Sequence, residues 1–229
     1  MSAPTGIHHL AVMTKDTRAQ LEFFTQVLGM PLVAIFDMHG VPGAWHSFVQ
    51  LDEHSYLAFC QVPGVEDAPS TIGITHAGNG AGVSAPGTMQ HVSFQVGDED
   101  ALLTLRDRLR ANGVVALGPI DHGMCRSIYF AGPEGLTLEA AWSEAAVDAD
   151  RWVDPVVAEA AGITDDELEA FRHPAPFERP AEPVAQPAID PTKPHMAYPE
   201  DDYRKMVALP DHVVTESASY PEPPVRAPA

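Results

Sequence analysis

Three side chains that lie far apart in the sequence carry the chemistry this chain can best perform. His9 and His91 each stand near the start of a short apolar run, and Glu139 lies inside another, LTLEAAW. A carboxylate in an apolar strand is costly to bury unless a cation or hydrogen-bond donors meet it. Two imidazoles and one carboxylate, with coordination positions left open, form a ligand set that suits non-haem Fe(II) working with dioxygen. Each histidine alone would be an ordinary structural residue, so this interpretation depends on the three together.

A second group of chemically capable residues precedes Glu139. The stretch from Ile120 to Glu139 contains His122 and Tyr129, and its two apolar-rich arms flank the turn Gly132-Pro133-Glu134-Gly135. This pattern is typical of a β-hairpin with a loop of a few residues. Since side chains alternate along a strand, Glu139 is expected on the face opposite Leu138.

The elements that must position these residues occur twice in the chain. Each histidine run is followed by an acidic helix start and an amphipathic helix, over about residues 16–28 and 98–112, and each helix is followed by a glycine, Gly29 or Gly113. Further strand-like runs follow each helix, which are LVAIF, AWHSFVQL and HSYLAFCQV in the first copy. The order is therefore β-α-β-β-β twice, at about residues 5–63 and 87–143, and it predicts an α+β fold.

Alternation also assigns faces to the two opening strands. If Leu10 and Val12 pack beneath the first helix, then His9 lies on the opposite face. In the same way His91 shares a face with Ser93 and Gln95. The apolar residues that alternate with them face the second helix, and these are Val92, Phe94 and Val96. Both histidines then point to the side of the sheet that carries no helix.

Paired modules of this kind, with a histidine on the opening strand and a glutamate on the closing strand, resemble the vicinal oxygen chelate superfamily, which includes glyoxalases, bleomycin resistance proteins and dioxygenases. Within it, the spacing of His122, Tyr129, Gly132-Pro133 and Glu139 resembles the signature of type I extradiol ring-cleavage dioxygenases. Gly132 departs from that signature, which normally has an acidic, amide or small polar residue, or alanine, at this point. The resemblance covers roughly residues 5–143.

The resemblance implies a curled mixed-sheet cup around a metal held by His9, His91 and Glu139. The metal would be Fe(II), with Mn(II) compatible with the same ligands. The substrates would be dioxygen and a catechol-type diol, whose ring opens next to the two hydroxyl groups. Among the implied catalytic residues, His54 would move protons, His122 would hydrogen-bond the substrate and Tyr129 would contact a substrate oxygen; His76 is a weaker rival of His54.

Two other functions remain open for such a chain. One is a metal-dependent isomerase or lyase of the glyoxalase and epimerase kind, and the other is a protein that sequesters a ligand without a metal. Ala58 lies where the isomerases supply a further metal ligand or a catalytic glutamate or glutamine, which speaks against the first. The presence of His9, His91 and Glu139 speaks against the second.

Charge and hydropathy restrict the partners. The 229 residues carry a net charge of −19 and a pI near 4.7, which disfavours nucleic acid and anionic membrane surfaces. The sequence contains no apolar run long enough to span a bilayer, and its first residues lack the pattern of a signal peptide. We therefore expect a cytoplasmic protein.

The remaining segments predict less about function. We place a domain at residues 1–146, whose modules are joined by the Gly/Pro-rich loop 64–86, which would be either a substrate-covering flap or a plain linker. Residues 147–229 form a C-terminal extension that begins with one or two short helices, where Thr164 and Glu167 make a capping box. Most of the prolines follow, so we expect a tail that is disordered or an extended arm that wraps a neighbouring subunit of a homo-oligomer.

Overall fold

The computed structural model describes residues 3–225, and its first module has the predicted element order. The segments with alternating apolar residues form the strands, and the helix follows the first strand in the sequence and precedes the second. The elements are β1 (His9–Met13), α1 (Thr17–Glu22, continued by a wider π-helical turn at Phe23–Val27), β2 (Leu32–Asp37), β3 (Trp45–Asp52) and β4 (Ser55–Gln61). The strands form a sheet in the order β1-β4-β3-β2, in which only β1 and β4 are parallel.

The second module repeats this arrangement. It consists of β5 (Val92–Gln95), α2 (Glu99–Ala111), β6 (Ala116–Asp121), β7 (Arg126–Ala131) and β8 (Thr137–Trp142). Its sheet has the equivalent order β5-β8-β7-β6, and β5 and β8 are its parallel pair. The prediction of an α+β fold made of two βαβββ modules is confirmed, as is the hairpin of β7 and β8.

Both helices begin and end at the residues that the sequence indicated. The Asp16 carboxylate accepts a hydrogen bond from the backbone N–H of Ala19 at 2.9 Å, and Asp98 does the same for Ala101 at 2.7 Å. These caps satisfy donors that the first helical turn leaves free. After α2 the chain turns at Gly113, whose φ of 77° is readily adopted only by glycine.

The helix-facing sides of the two sheets share one hydrophobic core. The ring of Phe24 lies 5.0 Å from that of Phe59 in module 1 and 6.3 Å from that of Phe94 in module 2. Leu10 and Val12 pack against this core, as predicted from alternation. The histidine-bearing face of each sheet is therefore the face turned away from the core.

A polar contact also joins the modules. Glu134, in the turn before β8, accepts hydrogen bonds from Thr14 Oγ1 at 2.6 Å, from the backbone N–H of Lys15 at 3.1 Å and from Gln20 Nε2 at 2.8 Å. Glu134 adopts a left-handed backbone conformation with φ 56°, which costs free energy for a residue with a Cβ. The end of β1 and the first turns of α1 are thereby fastened to the start of β8.

Residues 147–225 contain five short helices. Three of them belong to the same compact unit as the modules, which spans Pro4–Arg172, and they are α3 (Ala149–Trp152), α4 (Pro155–Ala160) and α5 (Asp165–Arg172). The capping box before α5 is present, since Thr164 N donates to Glu167 Oε2 at 2.9 Å and Glu167 N donates to Thr164 Oγ1 at 3.3 Å.

The residues from His173 onward form a second unit, which is not extended throughout. It contains α6 (Glu200–Val207) and α7 (Asp211–Ala218). In α6 the acidic first turn, the basic last turn and the Arg204–Glu200 ion pair all favour helix over the extended tail that the proline content predicted.

Candidate functional site

His91 and Glu139 form the centre of the candidate site. The parallel pairing of β5 with β8 places Ser93 opposite Glu139, so that His91, two residues earlier, points to the same face. The Nε2 atom of His91 lies 2.8 Å from Oε2 of Glu139, whose side chain is only 7% exposed. Two of the three predicted metal ligands are therefore in contact.

Gln90 fixes which nitrogen of His91 faces Glu139. The amide nitrogen of Gln90 donates to the backbone carbonyl oxygens of Asn79 and Gly82, both at 3.1 Å. Its Oε1 atom therefore faces His91 and accepts a hydrogen bond from Nδ1. In the neutral form of the imidazole, this contact puts the proton on Nδ1 and leaves the lone pair of Nε2 facing the carboxylate.

This pair fits a divalent metal. An Nε2 lone pair and a carboxylate oxygen are both acceptors, so their approach requires a proton or a cation between them. A hydrogen-bonded Nδ1–H is also what metal-ligating histidines commonly have, because it orients the ring and makes the ligand nitrogen more basic. The chemistry of the donors thus agrees with His91 and Glu139 as two metal ligands, with further ligands needed.

Tyr129 and His122 lie beside the pair. Tyr129 is directly opposite Glu139 in the β7–β8 pairing, and its hydroxyl is 3.1 Å from Nε2 of His122. Burial, assisted by the hydrogen bond and the negative charge of Glu139, raises the pKa of Tyr129 to about 12. At neutral pH its hydroxyl is therefore a protonated hydrogen-bond donor next to the candidate metal ligands.

His9 lies, as predicted, on the face of the module 1 sheet that is turned away from the core, which we call the open face, but its neighbours belong to its own module. Its ring is 5.5 Å from Phe48 and 6.4 Å from His46, and its Nδ1 is 2.9 Å from Nδ1 of His8. Across residues 3–225, no three or more His, Cys, Asp or Glu side chains are grouped so that they could hold a metal ion. A single chain thus brings His91 and Glu139 together without His9, and the role of His9 stays a prediction.

The two candidates for the acid or base have different environments. His54 lies in the β3–β4 turn with its side chain 85% exposed, and its nearest ion partner is Glu53 at 3.9 Å. His76 is half-buried in the loop between the modules, where its Nδ1 is hydrogen-bonded to Thr75 Oγ1 at 2.8 Å and to Ser70 Oγ at 3.3 Å. Within the described chain, neither histidine is hydrogen-bonded to His91 or Glu139, so both roles remain predictions.

Aromatic rings cover the open face of module 1. The rings of Phe36 and Phe48 are stacked 6.0 Å apart, and His46 lies 4.5 Å and Tyr56 6.2 Å from Phe48. Burial, with a smaller contribution from the charge of His9, lowers the pKa of His46. The strand pattern WHSFVQ could have indicated His46 and Phe48, since it alternates, whereas nothing in the local sequence pointed to Gln90.

Comparison with protein families shows which family this chain is related to. The family model of the Glyoxalase/Bleomycin resistance protein/Dioxygenase superfamily matches residues 6–140, which is more than half of the chain. The chain belongs to this superfamily. The match covers both modules except the last residues of β8, and it includes all the residues of the candidate site.

Several solved structures resemble this chain at low sequence identity. A glyoxylase/bleomycin resistance protein/dioxygenase domain from Frankia sp. EAN1pec is 14% identical with a TM-score of 0.49, covering 62% of this chain and 100% of that one. A glyoxalase/dioxygenase from Nostoc punctiforme is 16% identical with a TM-score of 0.45, over 62% and 92% of the two chains. A putative dioxygenase from Bacillus subtilis is 23% identical with a TM-score of 0.46, over 61% and 41%. Comparison with curated proteins gives no match.

The helices of the superfamily domain and of its extension are short. Within residues 3–225, none of them is long and apolar enough to cross a bilayer.

Proposed function

We propose that this protein is a non-haem Fe(II)-dependent extradiol dioxygenase that opens a catechol-type ring beside its two hydroxyl groups. The observation that carries the proposal is the contact of His91 with Glu139, next to the hydrogen-bonded pair of Tyr129 and His122. Fe(II), when bound, would supply the positions at which a diol and dioxygen meet. Mn(II) suits the same ligands.

Residue 58 favours an oxygenase over an isomerase. In module 1, Ala58 of β4 pairs with Ala11 of β1, which follows His9 by two residues. In module 2, Glu139 of β8 pairs in the same way with Ser93 of β5, which follows His91 by two residues. Ala58 is therefore the counterpart of Glu139 in module 1. Without a second carboxylate, the ligand set has three protein groups and leaves room for two reactants.

We infer that His9 reaches the pair from a second copy of the chain. The open face of module 1 carries His9 and the aromatic rings, while the open face of module 2 carries His91, Glu139 and Tyr129. In a dimer with two-fold symmetry, the first face of each copy would cover the second face of the other and complete two equivalent sites. His54 also belongs to module 1, so in this arrangement it too would come from the second copy.

The remaining site residues would act on the substrate. Tyr129, protonated at neutral pH, can donate a hydrogen bond to a substrate hydroxyl oxygen. His122 is held at the Tyr129 hydroxyl and can exchange a proton with it during ring opening. The aromatic rings of module 1 provide a surface against which a flat ring can stack.

The direct test is oxygen uptake by anaerobically purified protein loaded with Fe(II), with a panel of substituted catechols. We expect one O2 consumed per ring opened, with a yellow semialdehyde or dienoate as product. The variants His91→Ala and Glu139→Ala should lose metal and activity together. A protein that retains stoichiometric Fe(II) but consumes no oxygen with any of these catechols would exclude this activity.

A mixing experiment tests the shared site. His9→Ala and Glu139→Ala proteins should each be inactive, but a dimer of one with the other contains one complete site, because His9 comes from the second chain and His91 and Glu139 from the first. Refolding the two together should restore about a quarter of the parental activity, since half of the dimers are mixed and each has one of two sites. Absence of any recovery in verified mixed dimers would place all three ligands in one chain.

The aromatic face of module 1 also favours a second candidate function, which is to hold an aromatic ligand without converting it. In that case metal-free protein and the His91→Ala variant would bind the ligand as tightly as the parent, whereas the dioxygenase needs the metal for tight diol binding. Isothermal titration with catechol separates the two.

A further inference from the structure

The loop between the modules lies against the candidate site. A Cβ atom built on Gly80 would lie 3.1 Å from Cε1 of Tyr129, so the loop backbone passes close to that ring, and a side chain at this position would force the ring to shift by a few tenths of an ångström. Further along, a Cβ on Gly135 would lie 3.7 Å from the His76 ring. The loop thus contacts the β7–β8 hairpin at two points, near its Tyr129 and at its turn.

The loop is itself well ordered by internal contacts. Gly82 N donates to Asn79 O at 3.0 Å, and Ala81 N donates to the Asn79 side chain at 3.0 Å. A Cβ on Gly82 would lie 2.0 Å from the carbonyl oxygen of Ala77, so this turn requires glycine. The carbonyl oxygens of Asn79 and Gly82 are thereby aimed at one point, where Gln90 donates to both.

We propose that Gln90 is a positioning residue that couples the order of this loop to metal binding at His91. The proposal rests on the proposed function in that it takes His91 as a metal ligand. One side of the Gln90 amide holds two loop carbonyls, and the other side holds Nδ1 of His91. The same amide therefore orients the ligand histidine and fastens the loop over Tyr129.

The amide has only one orientation that satisfies all three partners. If it were flipped, its oxygen would face the two loop carbonyl oxygens, so both of these contacts would be repulsive, and Nδ1 of His91 would face a donor in place of an acceptor. Release of the loop therefore frees the amide to rotate and weakens its hold on His91. By linkage, metal binding that fixes His91 must in turn stabilise the closed loop.

Two substitutions separate the two sides of the amide. Gln90→Glu keeps an oxygen acceptor for Nδ1 of His91 but replaces the two donors with a charge that repels the loop carbonyls. Gln90→Leu removes all three hydrogen bonds at similar volume. Gln95→Leu is the matched control, since it makes the same change at an exposed glutamine of β5, five residues after Gln90. His91→Ala serves as the control for loss of the ligand.

Hydrogen exchange of the peptides covering residues 70–88 reports the loop, and isothermal titration with Mn(II) alone reports the metal site. In metal-free protein, we expect Gln90→Leu and Gln90→Glu to exchange about tenfold faster in this loop than the parent, because two hydrogen bonds are lost. We expect Gln90→Leu to weaken Mn(II) binding about 10- to 100-fold, which is the usual effect of mutating a residue that hydrogen-bonds a metal-ligating histidine. Gln90→Glu should bind Mn(II) as tightly as the parent. Mn(II) should slow loop exchange in the parent but not in Gln90→Glu.

The proposal that Gln90 holds the loop is excluded if the hydrogen-exchange rate of the loop in metal-free Gln90→Leu stays within twofold of that in the Gln95→Leu control. This result does not depend on any metal. The coupling is excluded if Gln90→Leu binds Mn(II) as the parent does while His91→Ala does not bind it. If His91→Ala also binds Mn(II) as tightly as the parent, the assignment of His91 as a metal ligand in the proposed function has failed. The hydrogen-exchange measurement then still decides whether Gln90 holds the loop.

Discussion

Tyr129 and Glu139 face each other across the β7–β8 pair, and the carboxylate helps burial to keep the phenol protonated. The pKa of Tyr129 rises from 10.0 to about 12 as a result. A hydroxyl that stays protonated can act as a hydrogen-bond donor beside Glu139. The same relationship has a consequence for stability at high pH.

We expect the folded protein to lose stability through Tyr129 as pH rises from about 10 to about 12, because the phenolate is disfavoured in the fold and favoured in the unfolded chain. Below about pH 10 this contribution is fully present. Urea unfolding at about pH 8 and about pH 11 should therefore show a larger drop in the free energy of unfolding for the parent than for Tyr129→Phe. Tyr198→Phe, in the tail, should behave as the parent; an equal drop in all three proteins would contradict the shift.

Introducing the missing carboxylate of module 1 should be costly without metal. Ala58 is fully buried, so Ala58→Glu should lower the free energy of unfolding of metal-free protein by about 3 kcal/mol or more. Ala58→Gln, with the same size and no charge, is the control and should lose less. If the open faces meet at a metal, added Mn(II) should recover stability in Ala58→Glu but not in Ala58→Gln, as measured by thermal unfolding.

The contact of Glu134 with the first module, which we call the Glu134 junction, combines three favourable hydrogen bonds with an unfavourable backbone conformation. Glu134→Ala loses three hydrogen bonds to a carboxylate and should destabilise the protein by about 3 kcal/mol. Glu134→Gly loses the same bonds but relieves the left-handed conformation, so it should be about 1 kcal/mol more stable than Glu134→Ala. Urea unfolding gives both values, and a glycine variant no better than alanine would show that the conformation costs nothing.

The shared core predicts that the modules depend on each other. Phe24→Ala removes a fully buried ring that contacts Phe59 and Phe94, and it should cost about 3–5 kcal/mol. Phe177→Ala makes the same change where the ring is 65% exposed and should cost within about 0.5 kcal/mol. Near-equal midpoints in urea for the two variants would mean that Phe24 does not join the modules.

Much of the fold follows from local patterns in the sequence. Period-two alternation placed Leu10 and Val12 towards the core and left His9 and Glu139 on the other faces, since burial of apolar side chains selects one register for a strand. Asp16 and Asp98 marked the helix starts for an equally local reason. The π-helical turn after α1 was not anticipated, because no single residue type there specifies it.

The contacts that organise the site are less accessible to such reasoning. Gln90 touches His91 and a loop turn at once, and Glu134 binds residues more than a hundred positions earlier; neither contact leaves a periodic trace. The grouping of His91 with Glu139 was foreseeable from the repeat, whereas the position of His9 depends on how whole modules face one another. The helices of the tail were missed because proline content outweighed the short charged segment at Glu200.

All three donors to Glu134 precede it in the chain by 114–120 residues. During synthesis on the ribosome, Thr14, Lys15 and Gln20 emerge long before their acceptor exists. The first module must therefore wait, with the buried side chains of Thr14 and Gln20 still hydrated, until nearly all of the second has been translated. Translation order thus makes the closing of this junction one of the last events in the maturation of the two modules.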